Sequence, residues 1–299
     1  MRIYHGDKFA DAYEAILTDV MLNPEYETAP RRQKIKEITN ACLTFNPTFP
    51  LYENGIRGSK FKYIAAELVW YFNGDNDIEF ISKFANFWKY LDNGDGKANS
   101  AYGNLLFVER TPSGFSQWRW ALESLINDKD TRQAILHFNL PKHQYSGNLD
   151  FVCTLNGVFQ IRDNHLNFTI NMRSNDLILG LPTDVAFFCL LQQQMLSHLK
   201  EVYPDLKMGT YTHFINSAHV YEKHFDLVTN MLNAKYTNEP YNPAFIPLSF
   251  PPLGENLIRK NGNPTPDMKQ LHLDIIIGEN DHSKIFSDPL YKWISDLTT

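Results

Sequence analysis

Cysteine is the scarcest residue type that bears on function in this 299-residue chain. Cys42, Cys153 and Cys189 are too few and too scattered for a disulfide framework, which fits a reducing cytosol. No Cys/His spacing matches a zinc site, so no metal is expected. A basic excess is also missing. Lys and Arg number 28 against 34 Asp and Glu, a net charge of −6, which excludes a global positive field and with it extended nucleic-acid binding. A phosphate ligand would need a local arginine cluster. The start, Met1-Arg2-Ile3-Tyr4-His5-Gly6-Asp7, holds no apolar signal-peptide core, and the most apolar later stretch, Val185 to Leu199, is broken by three glutamines. The expectation is a soluble cytoplasmic protein with no membrane contact.

With 43% hydrophobic and 14% aromatic residues, the chain can bury a substantial core. Phe9, Ala10, Tyr13, Ile16, Leu17, Val20 and Met21 recur at helical spacing; so do Ile64, Leu68 and Phe72, and then Ile78, Ile81, Phe84, Trp88 and Leu91. Strands are expected over 134–138, 151–161 and 166–172, the last two joined by a two-residue turn at Asp163-Asn164. A helix over 184–201, a strand over 208–217 and a helix from about His219 to Leu232 follow. A last strand (Leu271 to Ile277) and a short amphipathic helix (Leu290 to Leu297) close the pattern. Seven of the sixteen prolines fall between Pro240 and Pro266, which predicts irregular, surface-wrapping chain there. With no repeat and no linker before residue 236, the reading is one α+β domain over 1–299.

The densest chemistry lies in FVCTLNGVFQIRDNHLNFTINMRSNDLILGLPTD, residues 151 to 184. A cysteine thiolate is the side chain best suited to add to an electron-poor ring carbon and later leave, and Cys153 is the candidate. Cys42 and Cys189 read as small buried hydrophobes, Cys189 within Phe187-Phe188-Cys189-Leu190-Leu191. Arg173 offers a planar fork to a phosphate and a permanent cation that favours a thiolate, and Ser174 adds a hydroxyl donor. Glu67 sits on an otherwise apolar helix face, where desolvation tunes a carboxylate for proton transfer. Asp184, between Pro182-Thr183 and a helix, has two readings: an N-terminal cap, or a carboxylate that accepts hydrogen bonds from a ligand.

The order Cys153, Gln160, Arg173, Ser174, Asp176, Gly180, Leu181, Pro182 resembles the thymidylate synthase superfamily. The resemblance runs from about residue 30 to 235. It implies that Cys153 attacks C6 of a pyrimidine and that Arg173, Ser174 and Gln160 belong to the nucleotide site. Glu67, in Ala66-Glu67-Leu68-Val69-Trp70, matches the family's Glu-Leu-Leu-Trp signature, whose carboxylate orders water and moves protons. Trp88 and Tyr102-Gly103 match the residues flanking folate and thiol, Asp176 and Gly180 fall in the folate set, and His219 and Tyr221 match the pair on the sugar 3′-hydroxyl. Asp130-Thr131-Arg132-Gln133 resembles the segment that reaches the partner's phosphate, with Gln133 in place of a second arginine. Arg31 or Arg32 would contribute from an early loop. The implied fold is a mixed β-sheet with flanking helices, paired sheet to sheet as a homodimer with shared sites.

Within the superfamily, Asp184 stands where thymidylate synthases place the asparagine that reads uracil, and there the chain resembles the bacteriophage deoxycytidylate hydroxymethylases. Thr154 after the cysteine and Met172 before Arg173 point the same way. So does the ending Ser295-Asp296-Leu297-Thr298-Thr299, which lacks the Ala-Val tail that closes over folate for hydride transfer. Cytosine presents an N4 amino donor and a protonatable N3, and a carboxylate accepts from both; facing uracil O4 it would meet lone pair with lone pair. The expected reaction is 5-hydroxymethylation of dCMP with 5,10-methylenetetrahydrofolate and water. A methylase or hydroxymethylase acting on dUMP, dCMP or CMP, and a non-catalytic nucleotide or RNA binder, remain the alternatives.

Overall fold

The structure, a computed structural model, describes residues 1–58, 60–236, 256–278 and 288–298. In chain order the elements are β1 (Arg2–His5), α1 (Phe9–Leu22), β2 (Tyr26–Thr28), β3 (Ile35–Phe45), α2 (Phe61–Phe72), α3 (Ile78–Ser82), α4 (Gln117–Asn127), β4 (Ile135–His137) and β5 (Thr154–Arg162). Then come β6 (His165–Met172), β7 (Asn175–Asp176), α5 (Leu181–Leu199), β8 (Lys207–Tyr221), α6 (Phe225–Tyr236), α7 (Pro266–Ile277) and α8 (Pro289–Thr298). Parallel and antiparallel pairings both occur, so the α+β class with a mixed sheet holds.

The chain divides into two compact units, each assembled from three separate segments. The first takes residues 1–59, 167–192 and 208–250. Its strand order is β1-β3-β8-β6, with β2 added to β3 and β7 to β8. The long β3 and β8 pair antiparallel from Ile35 opposite Tyr221 to Phe45 opposite Tyr211; the ladder skips Asn40, whose φ is 53°, and Asn216, whose amide donates to Asn40. One run of rings crosses these elements: Phe9 on Phe45, Phe45 on Tyr211, Tyr211 on Phe168 and Phe168 on Phe188. Residues alternating along strands supply one side of this core and the helices α1 and α5 the other.

The second unit takes residues 60–166, 193–207 and 251–299 and is mostly helical, with β4 antiparallel to β5. Its core stacks Phe72 on Phe107, Phe107 edge-on to Trp118, and Trp118 edge-on to Phe159. The turn after β5 forms as expected: Asp163 and Asn164 both have positive φ (46° and 59°), the pairing that matches the twist of a two-residue hairpin.

Four expectations need correction. The segment Leu271 to Ile277 is the end of helix α7, not a strand: Thr265 caps Met268, Pro266 occupies the first turn, and Met268, Leu271 and Ile275 are buried at helical spacing up to left-handed Gly278. The helix expected over Ile78 to Leu91 stops at Ser82; Ala85 is extended, and a 3₁₀ turn over Asn86–Tyr90 carries Trp88 inward. His219 and Tyr221 do not open a helix but end β8, because pairing to β3 continues to Ile35 and α6 starts only at Phe225. The strand expected from 151 begins at Thr154, which leaves Cys153 in irregular chain just before it. Of the Pro240 to Pro266 segment, residues 240–255 lie outside the described residues; 256–265 are irregular, with one bridge between Ile258 and Pro264.

Candidate active site

Each unit gathers part of the expected set. In the helical unit, Glu67 lies midway along α2, 6% exposed, among the buried residues Ile64 to Phe72. Tyr63 and Tyr71 are four residues before and after it, so 3.6-residue periodicity puts all three on one face. Both hydroxyls donate to the same oxygen, Glu67 Oε1, Tyr63 at 2.7 Å and Tyr71 at 3.3 Å. Trp88, 4% exposed, donates its indole N–H to the Tyr63 hydroxyl at 3.0 Å and packs edge-on against Trp70. The Tyr71 ring stacks on Tyr102 at 5.3 Å, and the Tyr102 hydroxyl accepts from Thr154 Oγ1 at 2.8 Å. Gly103 makes the stacking possible, since a Cβ there would fall 1.7 Å from Tyr71 O. A hydroxyl and ring network thus runs from Trp88 through Glu67 to the residue beside Cys153.

Cys153 is half-buried, with Sγ 3.9 Å from Phe151 O. The other two cysteines are buried, and burial pushes both thiols up, Cys189 well above the ordinary range. Asp150, nearby in sequence, accepts from Ser100 N and Oγ and so ties down the approach to the cysteine. Gln160 sits on β5 six residues beyond Thr154, about 20 Å along the strand. Along β5 it therefore lies well away from Cys153. Arg132 is exposed in the loop before β4.

In the sheet unit, Arg173 and Ser174 follow the last residue of β6 and are half-buried. The two-residue β7 then runs parallel to β8, with Asn175 opposite Ala218 and Asp176 opposite His219, and Leu177 N bonds His219 O at 2.9 Å. Asp176 Oδ1 accepts from the N–H groups of Ile178 and Leu179, which folds the chain toward α5. His219 is buried; its Nδ1 lies 3.2 Å from Ser217 O, a carbonyl that can only accept, so Nδ1 carries the proton and the ring stands edge-on to Tyr221. Arg31 and Arg32 are exposed in a tight turn, both with positive φ (52° and 63°).

Asp184 lies inside the first turn of α5, which opens at Leu181 rather than at 184. Its own N–H bonds Gly180 O, and its Oδ2 accepts from Asn175 Nδ2 at 2.7 Å, which directs that oxygen at β7. Asp184 is thus not at the N-cap position, although an acid one turn into a helix still benefits from the dipole. Gly180 is confined, because a Cβ would lie 3.2 Å from Asn175 Nδ2 and Asp176 O and 3.4 Å from Asp184 Oδ2.

Residues that the sequence did not single out also enter. Tyr63 and Tyr71 lie four residues before and after Glu67, and that spacing is the signal the sequence carries for them. Arg57, in Gly55-Ile56-Arg57-Gly58, donates to Ile178 O at 2.8 Å, two residues beyond Asp176. Asn175 was passed over between Ser174 and Asp176. Among the described residues, no group of His, Cys, Asp and Glu is placed to hold a metal ion, and no helix is long and apolar enough to cross a membrane.

A family model described as thymidylate synthase matches residues 11–244, and the chain belongs to that family. The deoxycytidylate 5-hydroxymethyltransferase of Enterobacteria phage T2 is 29% identical over 184 residues, covering 59% of this chain and 74% of that protein. The phage T4 protein of the same description is 30% identical over 174 residues, 56% and 70%. A thymidylate synthase from Clostridium beijerinckii is 26% identical over 238 residues, 78% and 84%. The chain is accordingly an enzyme, a folate-dependent one-carbon transferase, from a family that uses methylenetetrahydrofolate.

Proposed function

We propose that this enzyme is a deoxycytidylate 5-hydroxymethyltransferase, converting dCMP, 5,10-methylenetetrahydrofolate and water to 5-hydroxymethyl-dCMP and tetrahydrofolate. The observation that carries the choice of base is Asp184: a carboxylate, held by Asn175, at the place where the family's uracil readers have asparagine. Cys153 adds through sulfur to C6, which makes C5 nucleophilic. The folate supplies a one-carbon unit at the oxidation level of formaldehyde. Asp176, the tight backbone at Gly180 and Trp88 would hold it; the Asp176 carboxylate and the glycine where a Cβ would crowd Asn175 and Asp176 fit a flat, donor-bearing ring system. Glu67 accepts and returns protons and orients the water whose oxygen ends on the new exocyclic carbon; Tyr63 and Tyr71 fix which oxygen is presented. Loss of the C5 proton and expulsion of the Cys153 thiolate restore the aromatic ring.

Arg173 and Ser174 bind the phosphate, Tyr102 lies against the thiol, and His219 with Tyr221 holds the sugar 3′-hydroxyl. In this reading the chain is a single catalytic domain, acts in the cytoplasm without stable nucleic-acid binding, and pairs sheet to sheet as a homodimer in which Arg132 serves the partner's phosphate. The exposure of Arg132 supports that role. Product mass from dCMP, dUMP and CMP with methylenetetrahydrofolate tests the reaction: a gain of CH₂O on dCMP is expected, whereas a gain of CH₂, or turnover only on dUMP or CMP, would replace it. Mixing inactive Cys153→Ala with inactive Arg132→Ala protein tests the shared site; recovered activity is expected, and none after confirmed subunit exchange would count against it.

A further inference from the structure

We propose that Asn175 is a positioning residue for base choice: its side-chain amide orients the Asp184 carboxylate and thereby sets the preference for cytosine over uracil nucleotides. The proposal rests on the reading of Asp184 given above. Asn175 belongs to β7, whose backbone is fixed by its parallel register with β8, and its side chain is 4% exposed. From there Nδ2 donates to Asp184 Oδ2 at 2.7 Å. A carboxylate only accepts and an amide N–H only donates, so the amide has one workable orientation; turned over, its oxygen would face Asp184 Oδ2. The other end of the amide shows that this bond is the reason for an asparagine. Asn175 Oδ1 is buried with no partner among the described residues, and an orphaned buried acceptor is unfavourable. A residue required only for filling this space would be apolar and avoid that cost.

Two neighbours keep the pair together. Gly180 leaves room for it, and the Thr183 hydroxyl turns away to Gly180 O at 2.8 Å, so it does not compete for the carboxylate. With an N–H fixed against Oδ2, that oxygen is held as an acceptor, since a proton on it would point at the amide hydrogen. Asp184 then presents acceptor character to a base, which matches the donors of cytosine and opposes O4 of uracil. Without Asn175 the carboxylate loses the donor that fixes Oδ2 in this orientation.

The test is a double-mutant cycle read on dCMP and dUMP, using dissociation constants from titration calorimetry and kcat/KM for turnover. Asn175→Ala is expected to lower the dCMP-over-dUMP preference about tenfold, the loss of roughly one charge-assisted hydrogen bond. In the Asp184→Asn background the same change should alter the preference less than about twofold, because the carboxylate it orients is gone. If Asn175→Ala does not fold, Asn175→Leu fills the space without a donor and is expected to show the same loss. A variant that weakens both nucleotides equally, preference unchanged, overturns the proposal and makes Asn175 structural. If Asp184→Asn itself leaves the preference unchanged, the reading of Asp184 fails. If Asp184→Asn shifts the preference and both Asn175 variants do not, only the role of Asn175 fails.

Discussion

In the sheet unit the candidate groups are placed by backbone: Arg173 and Ser174 follow β6, and the parallel register of β7 with β8 sets Asp176 opposite His219. In the helical unit they are placed by side chains: Tyr63 and Tyr71 reach Glu67 from one turn away on either side, Trp88 holds Tyr63, and Thr154 holds Tyr102. The first arrangement depends on long-range ladders and tolerates a side-chain change without moving its neighbours. The second is a chain of hydroxyl and ring contacts, in which each member orients the next. Recognition of a fixed ligand suits the former, and proton transfer suits the latter.

The strongest break in that comparison comes from removing the nucleophile. Cys153→Ala should abolish tritium release from C5 of dCMP, by on the order of 10⁴-fold or more, while nucleotide binding persists. Cys189→Ala should keep the chemistry and lose about 1 kcal/mol of stability in urea titrations. Next, Glu67→Gln keeps the shape but not the charge, and kcat should fall about 10²- to 10³-fold with a small change in KM for dCMP. Full activity in that variant would remove the proton-transfer role from the helical unit.

In the sheet unit, Asp184→Asn should change base choice rather than rate: a relative shift in kcat/KM from dCMP toward dUMP of about 10- to 200-fold. Smaller effects separate the two phenols. Tyr63→Phe should lower kcat about tenfold and alter the pH–rate profile, and Tyr71→Phe, whose bond to Glu67 is longer, should do less. Equal effects from the two would mean that the hydroxyl network does not discriminate between them.

Mild acid distinguishes the units least. Each holds a buried histidine: burial pushes His213 down to about 3 in the sheet unit and His198 down to about 4 in the helical unit. Since the unfolded chain takes up these protons near pH 6.5 and the folded chain does not, stability is full above that value and is lost as pH falls toward 4. Between pH 7 and 6 the two together should cost about 1 kcal/mol in urea titrations. NMR should find both rings neutral in the folded protein at pH 5.5, and a protonated His213 there would contradict its burial.

Much of this was legible because the signals are local. Apolar periodicity marked α1 and α2, the Asp-Asn pair marked the turn after β5, and the series from Cys153 to Asp184 marked the chemistry. The errors arose where local signals compete with distant ones. The β-branched run at the end of α7 resembled a strand until capping by Thr265 and helical burial decided otherwise. The end of β8 resembled a helix start because its partner, β3, carries Lys36, Glu37 and Asn40 and shows no clean alternation, so the ladder that extends β8 was invisible. Helix α4 carries a local signal too, Trp118, Ala121, Leu122 and Leu125 at helical spacing behind the Ser116 cap.

By itself the sequence determined which residue types are present and in what order: one cysteine ahead of the arginine-serine-aspartate series, a carboxylate on a helix, and aspartate in place of asparagine at 184. Helix geometry is local, so Tyr63, Glu67 and Tyr71 were bound to share a face once α2 formed. Only tertiary structure decided that Asp176 lies opposite His219, that Trp88 turns inward to Tyr63, and that Asp184 faces Asn175. Each of these depends on sheet register or on close approach between residues far apart or out of phase in the chain, and such contacts are set by packing of the whole unit rather than by the preferences of neighbouring residues.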